Sequence, residues 1–436
     1  MWPFWRVAPL LLAVVGALSF GLYHGVYALL SDAAASQRPS KPVNINDVIK
    51  TSVTVLTLTG AVLAGLYAYR KQLLAEGDAH RADASQLADR YTTAAGQVGH
   101  DEAAVRLAGV YALARLADDW EEQRQVCIDV LCAYLRMPYE LDPSAPGHMK
   151  GEREVRQTII RVIRDHLRQP GTPTAWCECD FDFTGATFDG GDFSRSHFRG
   201  TTDFSGATFS NGTVSFREAT FRSGSTYVSI DFHGATFSGA RVSFYHAMFS
   251  GLVEFGDVMV SGGTVNFDDA RFDGGTVSFE GATLSGGTVS FSGLPPSRMT
   301  FEGTMVDFSG ATFNGGTVDF DGATFYDPAE GVLPLVSFDG ATFSSGNLQF
   351  GRATFNASFN IASVTFALAK FNGAAVTFYS TTFNGGTVSF GAAMFNGGMV
   401  SFDGATFSRT TFDFGGARFN GTAFEWGTLP IPTGAG

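Results

Sequence analysis

The chain has few of the residues that cluster in catalytic and metal-binding sites. Its four cysteines are Cys127, Cys132, Cys177 and Cys179, and neither pair has the two-residue spacer of zinc sites and thioredoxin-like redox motifs. The eight histidines are scattered, and no P-loop, GxGxxG, GxSxG or HExxH motif occurs. We therefore predict no catalytic residue, no cofactor-binding residue, no metal ligand and no cofactor, and hence a protein that is not an enzyme.

Positive charge is scarce in the second half of the chain. Residues 180–436 carry 23 acidic and 11 basic side chains, whereas residues 1–179 carry 19 and 18, so almost all of the net charge of -13 lies in the second half. An acidic surface repels the phosphate backbone of nucleic acids. We therefore expect no direct binding of DNA or RNA by this part of the chain. His233 and His246 lie here as well, and we interpret this pair as a surface coincidence rather than a metal site.

Two long apolar stretches stand near the N-terminus. Residues 7–30 contain no Asp, Glu, Lys or Arg and have His24 as their only group that titrates near neutral pH, and residues 51–69 contain no charge. Each stretch is long enough to cross a bilayer as a helix. We predict a transmembrane helical hairpin over residues 1–70, in a multi-pass protein of the bacterial plasma membrane that contacts lipid through both helices.

The first apolar stretch has an alternative interpretation. Residues 33–35 are three alanines, which would suit the cleavage site of a signal peptide, although the apolar run is longer than a usual signal core. Both interpretations keep the second span and leave the C-terminal part in the cytoplasm, although the flanking basic residues are too balanced to decide orientation. Gly21 and Gly25 have the small-xxx-small spacing, which predicts close packing within the hairpin or, alternatively, dimerisation.

Residues 71–170 predict a helical connector. Apolar residues recur at i, i+3, i+4 and i+7, and Pro138 and Pro170 end the second and third helices. Cys127 and Cys132 fit this pattern as small apolar residues, and three short helices of this kind resemble a HEAT-like repeat block. The three apolar stripes are Leu107, Val110, Tyr111 and Ala114; Cys127, Val130, Leu131 and Tyr134; and Ile159, Val162, Ile163 and Leu167.

The third of these helices is basic. A solvated helix face is the ordinary explanation, and contact with anionic lipid headgroups is another. Because the end of a repeat array exposes a sheet edge that must be covered, we favour a third role as the N-terminal cap on acidic repeats. The arginines along this helix are Arg153, Arg156, Arg161, Arg164 and Arg168.

The phenylalanines of the second half recur with a fixed period. Forty of the 42 lie at or beyond Phe181, and from Phe366 to Phe419 they alternate in steps of five and seven residues. Such a period is typical of a solenoid. The residue two before each phenylalanine is small or β-branched, as Ala311 is before Phe313, so that both face inward on a short strand. We predict a mainly β solenoid over residues 180–426, with coils of about 24 residues and four faces, roughly ten coils in all, and a flexible tail over residues 427–436.

These units resemble the pentapeptide-repeat proteins, and in particular their membrane-anchored bacterial members. The resemblance rests on small-x-Phe units such as Ala311-Thr312-Phe313 and implies a right-handed quadrilateral β-helix. This chain departs from the family by inserting two residues in every other unit. Longer breaks occur at Pro295-Pro296 and after Phe221, Phe325 and Phe355, and insertions in a solenoid often lie at a binding face. Residues 326–331 are the best candidate for such a loop.

Three functions remain open from the sequence. The first is a membrane-anchored, non-enzymatic scaffold that presents an acidic solenoid to an unknown protein partner, with the formation of homo-oligomers left open. The second follows from the resemblance, since some members of the family imitate duplex DNA and modulate or protect a type II topoisomerase. In this DNA-like arrangement, outward aspartates would supply the rows of negative charge. The third function is ice binding by outward threonines, but the sequence lacks the flat two-column threonine array that ice binding needs. The aspartates are Asp268, Asp273, Asp307, Asp319, Asp321, Asp339 and Asp403.

Overall fold

The computed structural model shows a long helical N-terminal part and a β-solenoid. It describes residues 4–36, 42, 44–222, 228–293, 299–326, 335–357 and 362–432. The chain divides into two compact units, Met1–Ala88 and Asp89–Gly436. The predicted insertion at Pro295-Pro296 and the predicted loop after Tyr326 lie outside the described residues.

Two long helices form most of the first unit. Helix α1 is Phe4–Ala35 and helix α2 is Ile45–Val98, so α2 continues without a break through the boundary predicted at residue 70. Ala13–Ala35 and Ile45–Glu76 are long and apolar enough to cross a membrane. A Cβ atom added at Gly21 or Gly25 would meet nothing within 4 Å. The expectation that this glycine spacing serves packing within the hairpin is therefore wrong for the described residues.

Three shorter helices begin the second unit. They are α3 (Ala103–Asp119), α4 (Arg124–Arg136) and α5 (Glu152–Leu167), with a 3-10 turn at Glu121–Gln123. The predicted stripes are buried on α4 and α5, except that Val130 is half-buried. On α3, however, Tyr111 is 53% exposed. Val110 and Ala114 of the predicted stripe are buried, together with Leu113 and Arg106. Arg106 can be buried because a buried carboxylate takes up its charge.

A buried ion cluster joins α3, α4 and α5. Glu152 lies 3.4 Å from Arg106 and 3.0 Å from Arg156, and it accepts a hydrogen bond of 2.6 Å from the hydroxyl of Tyr134. Arg156 also donates to the backbone carbonyls of Leu135 and Met137. The sequence pattern placed Arg156 among the surface cations of α5, but this arginine is only 2% exposed.

The rest of the second unit is a parallel β-solenoid whose short strands form one 17-stranded and one 16-stranded sheet. Each strand pairs with the equivalent strands of the neighbouring coils, so hydrogen bonds run along the solenoid axis. In chain order the strands β1 to β33 are Phe181–Asp182, Thr187–Phe188, Gly191–Asp192, His197–Phe198, Thr202–Asp203, Thr208–Phe209, Thr213–Ser215, Thr220–Arg222, Val228–Asp231, Thr236–Phe237, Arg241–Ser243, Met248–Ser250, Leu252–Glu254, Met259–Val260, Thr264–Asn266, Arg271–Ser278, Thr283–Leu284, Thr288–Ser290, Thr300–Asp307, Thr312–Asp319, Thr324–Tyr326, Val336–Ser337, Thr342–Gln349, Thr354–Asn356, Ala362–Thr365, Lys370–Thr377, Thr382–Asn384, Thr387–Ser389, Met394–Ser401, Thr406–Ser408, Thr411–Asp413, Arg418–Phe419 and Ala423–Glu425.

The strand register gives the length of each coil. Lys370 pairs with Met394 and Met394 with Arg418, which are steps of 24 residues, so the predicted coil is confirmed there. Insertions lengthen other coils, as between Thr312 and Thr342, which are 30 apart. The solenoid has about nine turns, close to the roughly ten predicted. At about 4.8 Å per coil it is about 43 Å long.

Four columns of inward phenylalanine rings fill the solenoid, one on each face. In the first ladder, neighbouring ring centroids are 4.6 Å apart at Phe232–Phe255 and 5.2 Å apart at Phe308–Phe338, with nearly parallel planes. Rings of the first and second ladders meet edge to face, as Phe308 and Phe320 do at 90°. The first ladder is Phe183, Phe204, Phe232, Phe255, Phe279, Phe308, Phe338, Phe366, Phe390 and Phe414, and the second runs from Phe193 to Phe402 on the opposite face.

The other two ladders lie on the remaining faces. The fourth runs without interruption from Phe198 to Phe407. The third runs from Phe188 to Phe419 but contains Val260 and Leu284 where two rings would stand. Aliphatic side chains therefore substitute for aromatic ones in the interior, and the column continues on both sides of them.

Tight turns and glycine pairs form the corners. In the turn that starts at Phe308, the amide of Ala311 donates to the carbonyl of Phe308 at 3.1 Å, and Gly310 has a φ of +69°. The two extra residues of the long units form another corner, where Gly316 has a φ of +68° and a Cβ atom would lie 2.7 Å from the carbonyl oxygen of Gly286. A side chain at this glycine would therefore separate neighbouring coils.

Substituting a ring in the middle of the first ladder should destabilise the solenoid. Phe308 is fully buried between Phe279 and Phe338, so Phe308→Ala should cost about 3–5 kcal/mol. Tyr379→Ala is the control, because Tyr379 is 55% exposed, and should change stability by less than about 0.5 kcal/mol. Guanidinium unfolding of the full chain in detergent, followed by far-UV circular dichroism, measures both. Equal effects of the two substitutions would contradict the ladder.

Removing the buried carboxylate of the helical region should be equally severe. Glu152→Ala leaves Arg106 and Arg156 buried without their counter-ion, which should cost about 3–5 kcal/mol. Glu154→Ala removes an exposed carboxylate 3.3 Å from Arg161 and should cost at most about 1 kcal/mol. Thermal unfolding of the two variants provides the comparison, and an unchanged midpoint for Glu152→Ala would show that the cluster is not stabilising.

Candidate functional site

The N-terminal end of the solenoid is covered by helix α5 and the residues before it. Arg153 Nε donates to Asp189 Oδ2 at 2.8 Å, and Arg164 donates to Asp192 Oδ2 at 2.6 Å. Arg168 donates to the carbonyl of Ser194 at 2.9 Å. The basic helix thus contacts the acidic first coils, and this end of the solenoid is not a free surface.

Both aspartates under α5 accept hydrogen bonds from its arginines in a partly desolvated place. Asp189 is only 6% exposed and also accepts a hydrogen bond of 2.9 Å from the hydroxyl of Tyr139. Burial pushes the pKa of Asp192 upward, but hydrogen bonds from Ser194 and Arg164 outweigh it and leave the pKa below its usual range. These acidic groups stabilise the cap and are not available to a ligand.

Many of the predicted outward aspartates are engaged within the solenoid. Asp307 Oδ1 accepts the amide of Ser309 at 2.9 Å, and Asp319 Oδ1 accepts the amide of Asp321 at 2.9 Å, so each completes an Asx turn at a corner. Asp268, Asp321 and Asp339 are likewise half-buried and accept hydrogen bonds. Of the seven predicted aspartates, Asp273 and Asp403 are exposed. The expectation that all seven point freely to water is therefore wrong.

Two corner carboxylates are perturbed in the opposite direction from Asp192. Burial raises the pKa of Asp319, and its neighbours Asp321 and Asp268 add to the effect. Burial also raises the pKa of Glu254, with Asp231 nearby. An Asp, Ser, Asn or Thr stands immediately before many of the phenylalanines that begin a corner, and these residues favour turns. This pattern could have predicted from the sequence that such aspartates bond to the turn.

The face of the third ladder carries no charge over most of its length. On this face one outward side chain precedes each inward residue of the third ladder and another follows it. In the six coils from Thr208 to Ser344, all of these flanking residues are threonine, serine, asparagine or methionine. Their pairs are Thr208 and Ser210, Thr236 and Ser238, Met259 and Ser261, Thr283 and Ser285, Thr312 and Asn314, and Thr342 and Ser344. The acidity of the solenoid is therefore uneven and concentrates at the corners.

Three of the four long insertions lie at the same corner. They separate the fourth ladder from the first, between β8 and β9, between β21 and β22, and between β24 and β25. The flanking phenylalanines are 11, 13 and 11 residues apart, whereas Phe383 and Phe390 are seven apart. The insertion corner, as we call it, is the place where this chain departs most from its own repeat.

The histidines and cysteines do not assemble a chemical centre among the described residues. His233 and His246 lie at different corners, following Phe232 and Phe244, and His233 lies 3.8 Å from Asp257. In the part of the chain that the structure describes, no three or more possible metal ligands lie together. Cys127 and Cys132 are buried in α4, and burial raises the pKa of Cys127 to about 11, which favours a packing role.

Comparison with known families supports the repeat assignment. A family model described as pentapeptide repeats (9 copies) matches residues 183–226. These residues begin with the most regular part of the solenoid, where Phe183, Phe188, Phe193 and Phe198 follow at steps of five. Beyond them the two-residue insertions change the spacing, although the strand register continues to β33. No curated protein matches the chain.

Replacing the half-buried carboxylate of Asp319 should stabilise the solenoid. Asp319→Asn keeps the oxygen that accepts the turn amide, and Asn266 already occupies the same outward column. Because the folded pKa of Asp319 is raised, the wild-type chain loses stability as pH rises through that pKa. The advantage of Asn should therefore be largest near pH 7 and disappear at acid pH. Thermal unfolding from below the unfolded pKa of aspartate, about pH 3, up to pH 7 tests this, with Asp307→Asn as the turn-matched control. A variant less stable than wild type at pH 7 would contradict the assignment.

Proposed function

We propose, since this chain is a pentapeptide-repeat protein, that it is a membrane-anchored, non-enzymatic scaffold whose acidic solenoid binds a protein partner in the cytoplasm. The observation that carries the proposal is the filled interior: stacked rings occupy the solenoid, and the corner carboxylates bond to its own turns. What remains for recognition is the outer surface. A rigid solenoid offers such a surface at low entropic cost.

The N-terminal helices support attachment to a membrane. Along Ala13–Ala35 and Ile45–Glu76, 6% of the residues of each most apolar stretch are buried by protein. Leu18, Phe20 and Leu29 are 67%, 68% and 73% exposed on α1, and Leu66 is 56% exposed on α2. Apolar side chains exposed around a whole helix are stable in lipid rather than in water.

We assign the insertion corner as the surface that selects the partner. A solenoid tolerates extra residues only outside the ladders, and the strands that flank all three insertions belong to the same two faces, with two of the insertions in neighbouring coils. Tyr326, which precedes the longest of these insertions, is 45% exposed. The uncharged face of the third ladder does not border the insertion corner, and its repeat carries no long insertion that would distinguish one coil from another.

The arrangement of charge gives less support to imitation of duplex DNA. A DNA-like surface needs regular rows of free anions. Here five of the seven candidate aspartates are half-buried and bonded, and one face is uncharged over six coils. Unchanged supercoiling by a type II topoisomerase in the presence of excess protein is therefore the result we expect.

Cross-linking in cells tests the scaffold. The full chain should capture an enriched protein, and a chain lacking the first unit, Met1–Ala88, should leave the membrane fraction. Deleting residues 328–333 brings Phe325 and Phe338 to the regular spacing of seven and should abolish capture while the thermal midpoint stays unchanged. Deleting residues 223–226 or 358–361 restores the same spacing at the other two insertions. Capture that survives all three deletions would refute the insertion corner, and no enriched protein with the full chain would refute the scaffold.

A further inference from the structure

The outward surface of the fourth ladder changes its charge along the solenoid. In the three coils from His197 to Ser250, the residues that flank the inward phenylalanines include two arginines and no carboxylate. The next coil adds Arg271, and carboxylates enter this surface at Asp273 and Glu302. The acidic solenoid thus has a basic region on one face. The flanking residues of the three coils are His197, Arg199, Thr220, Arg222, Met248 and Ser250.

A pocket of about 250 Å³ lies in this basic region. Residues of three successive coils line it, and the strand register fixes their positions. Thr220, Met248 and Arg271 stand in one outward column, and Arg222 and Ser250 stand in the next. The two arginines therefore occupy diagonal positions of the pocket, one coil on either side of Met248.

Both arginines lack an anionic partner in the described part of the chain. Arg222 and Arg271 are exposed, and neither forms a hydrogen bond or an ion pair with the residues that the structure describes. Arg195 at the neighbouring corner, by contrast, donates to Glu218 at 2.9 Å. Asp273 stands only two residues after Arg271 on the same face, yet these two side chains are not paired. Two guanidinium groups at one pocket are therefore available to an anion from outside the chain.

The spacing of the two arginines suits a small oxyanion. Two coil steps of about 4.8 Å and two residues of about 3.3 Å place the Cα atoms of Arg222 and Arg271 about 12 Å apart. Two long side chains can converge on one group over this distance, and a guanidinium binds phosphate oxygens through two parallel hydrogen bonds. The hydroxyls of Thr220 and Ser250 line the same pocket and can donate to the remaining oxygens.

We propose that this pocket binds a terminal phosphate group, held between Arg222 and Arg271. Such a group carries nearly two negative charges near neutral pH. It belongs either to a soluble phosphate or to the headgroup of a lipid such as phosphatidic acid, since both present the same oxygens. Met248 is 49% exposed and gives the pocket an apolar wall, which a lipid would contact and inorganic phosphate would not.

The carboxylate of Asp273 opposes the bound anion. Asp273 lines the same pocket and is exposed, so its charge repels a phosphate group at close range. Asp273→Asn keeps the size of the side chain and removes the charge, and it should tighten phosphate binding severalfold. This change has the opposite sign to the loss of an arginine, and a damaged fold would not produce it.

Isothermal titration calorimetry of the full chain in dodecyl maltoside, an uncharged detergent, tests the proposal. The probes are inorganic phosphate, dihexanoyl phosphatidic acid and, as a diester control, dihexanoyl phosphatidylcholine, which should bind more weakly than phosphatidic acid. Arg222→Ala and Arg271→Ala should each weaken phosphate binding about tenfold, because each removes charge-assisted hydrogen bonds. The matched control is Arg241→Ala, since Arg241 is an exposed arginine on the other sheet, and it should bind as wild type does.

The probes also distinguish the two sources of the phosphate group. Inorganic phosphate that binds as tightly as phosphatidic acid assigns the pocket to a soluble phosphate. Tighter binding of phosphatidic acid, which Met248→Ser reduces, assigns it to a lipid headgroup.

Two results would overturn the proposal: no binding of either probe at concentrations up to about 10 mM, and binding that both Arg222→Ala and Arg271→Ala leave unchanged. The proposal goes beyond the scaffold function and does not depend on it. Its failure would leave the capture of a protein partner by the full chain unaffected.

Discussion

The solenoid depends on the match between two distances, the spacing of hydrogen-bonded strands and the spacing of stacked aromatic rings. Strands lie about 4.7–4.9 Å apart, and ring centroids of the second ladder lie 4.8–5.1 Å apart. The backbone ladder and the aromatic ladder therefore reinforce each other in every coil. A coil whose phenylalanine was shifted out of register would lose both its strand hydrogen bonds and its ring stacking.

This constraint explains where the chain varies. Additional residues cannot enter the ladders, so they are accommodated at corners, either as glycine pairs that let carbonyl groups approach closely or as the longer insertions. The interior tolerates Val260 and Leu284 in place of rings because the strands on either side remain paired. The surface that the interior leaves for binding therefore consists of the corners and the outer faces.

The residues that sequence patterns misplaced share one cause, which is that their partners are distant in the chain. Arg156 has the spacing of a solvated cation, yet it is buried because Glu152 and the carbonyls at the end of α4 surround it. Asp319 has the spacing of an outward residue, yet it bends back to a turn amide and is desolvated by the neighbouring coil. Tyr111 matches an apolar stripe, but the packing of α3 against α5 turns it outward.

The sequence by itself determined the period, the inward residues and the class of fold, because phenylalanine spacing and strand alternation are local properties of the chain. It also determined the two apolar helices and the basic character of α5. Only the tertiary structure decided which charges are free, that α5 covers the N-terminal end of the solenoid, and that the strands flanking three insertions belong to the same two faces. These features depend on residues that are 20 to 30 positions apart in the chain and become neighbours only when coils stack.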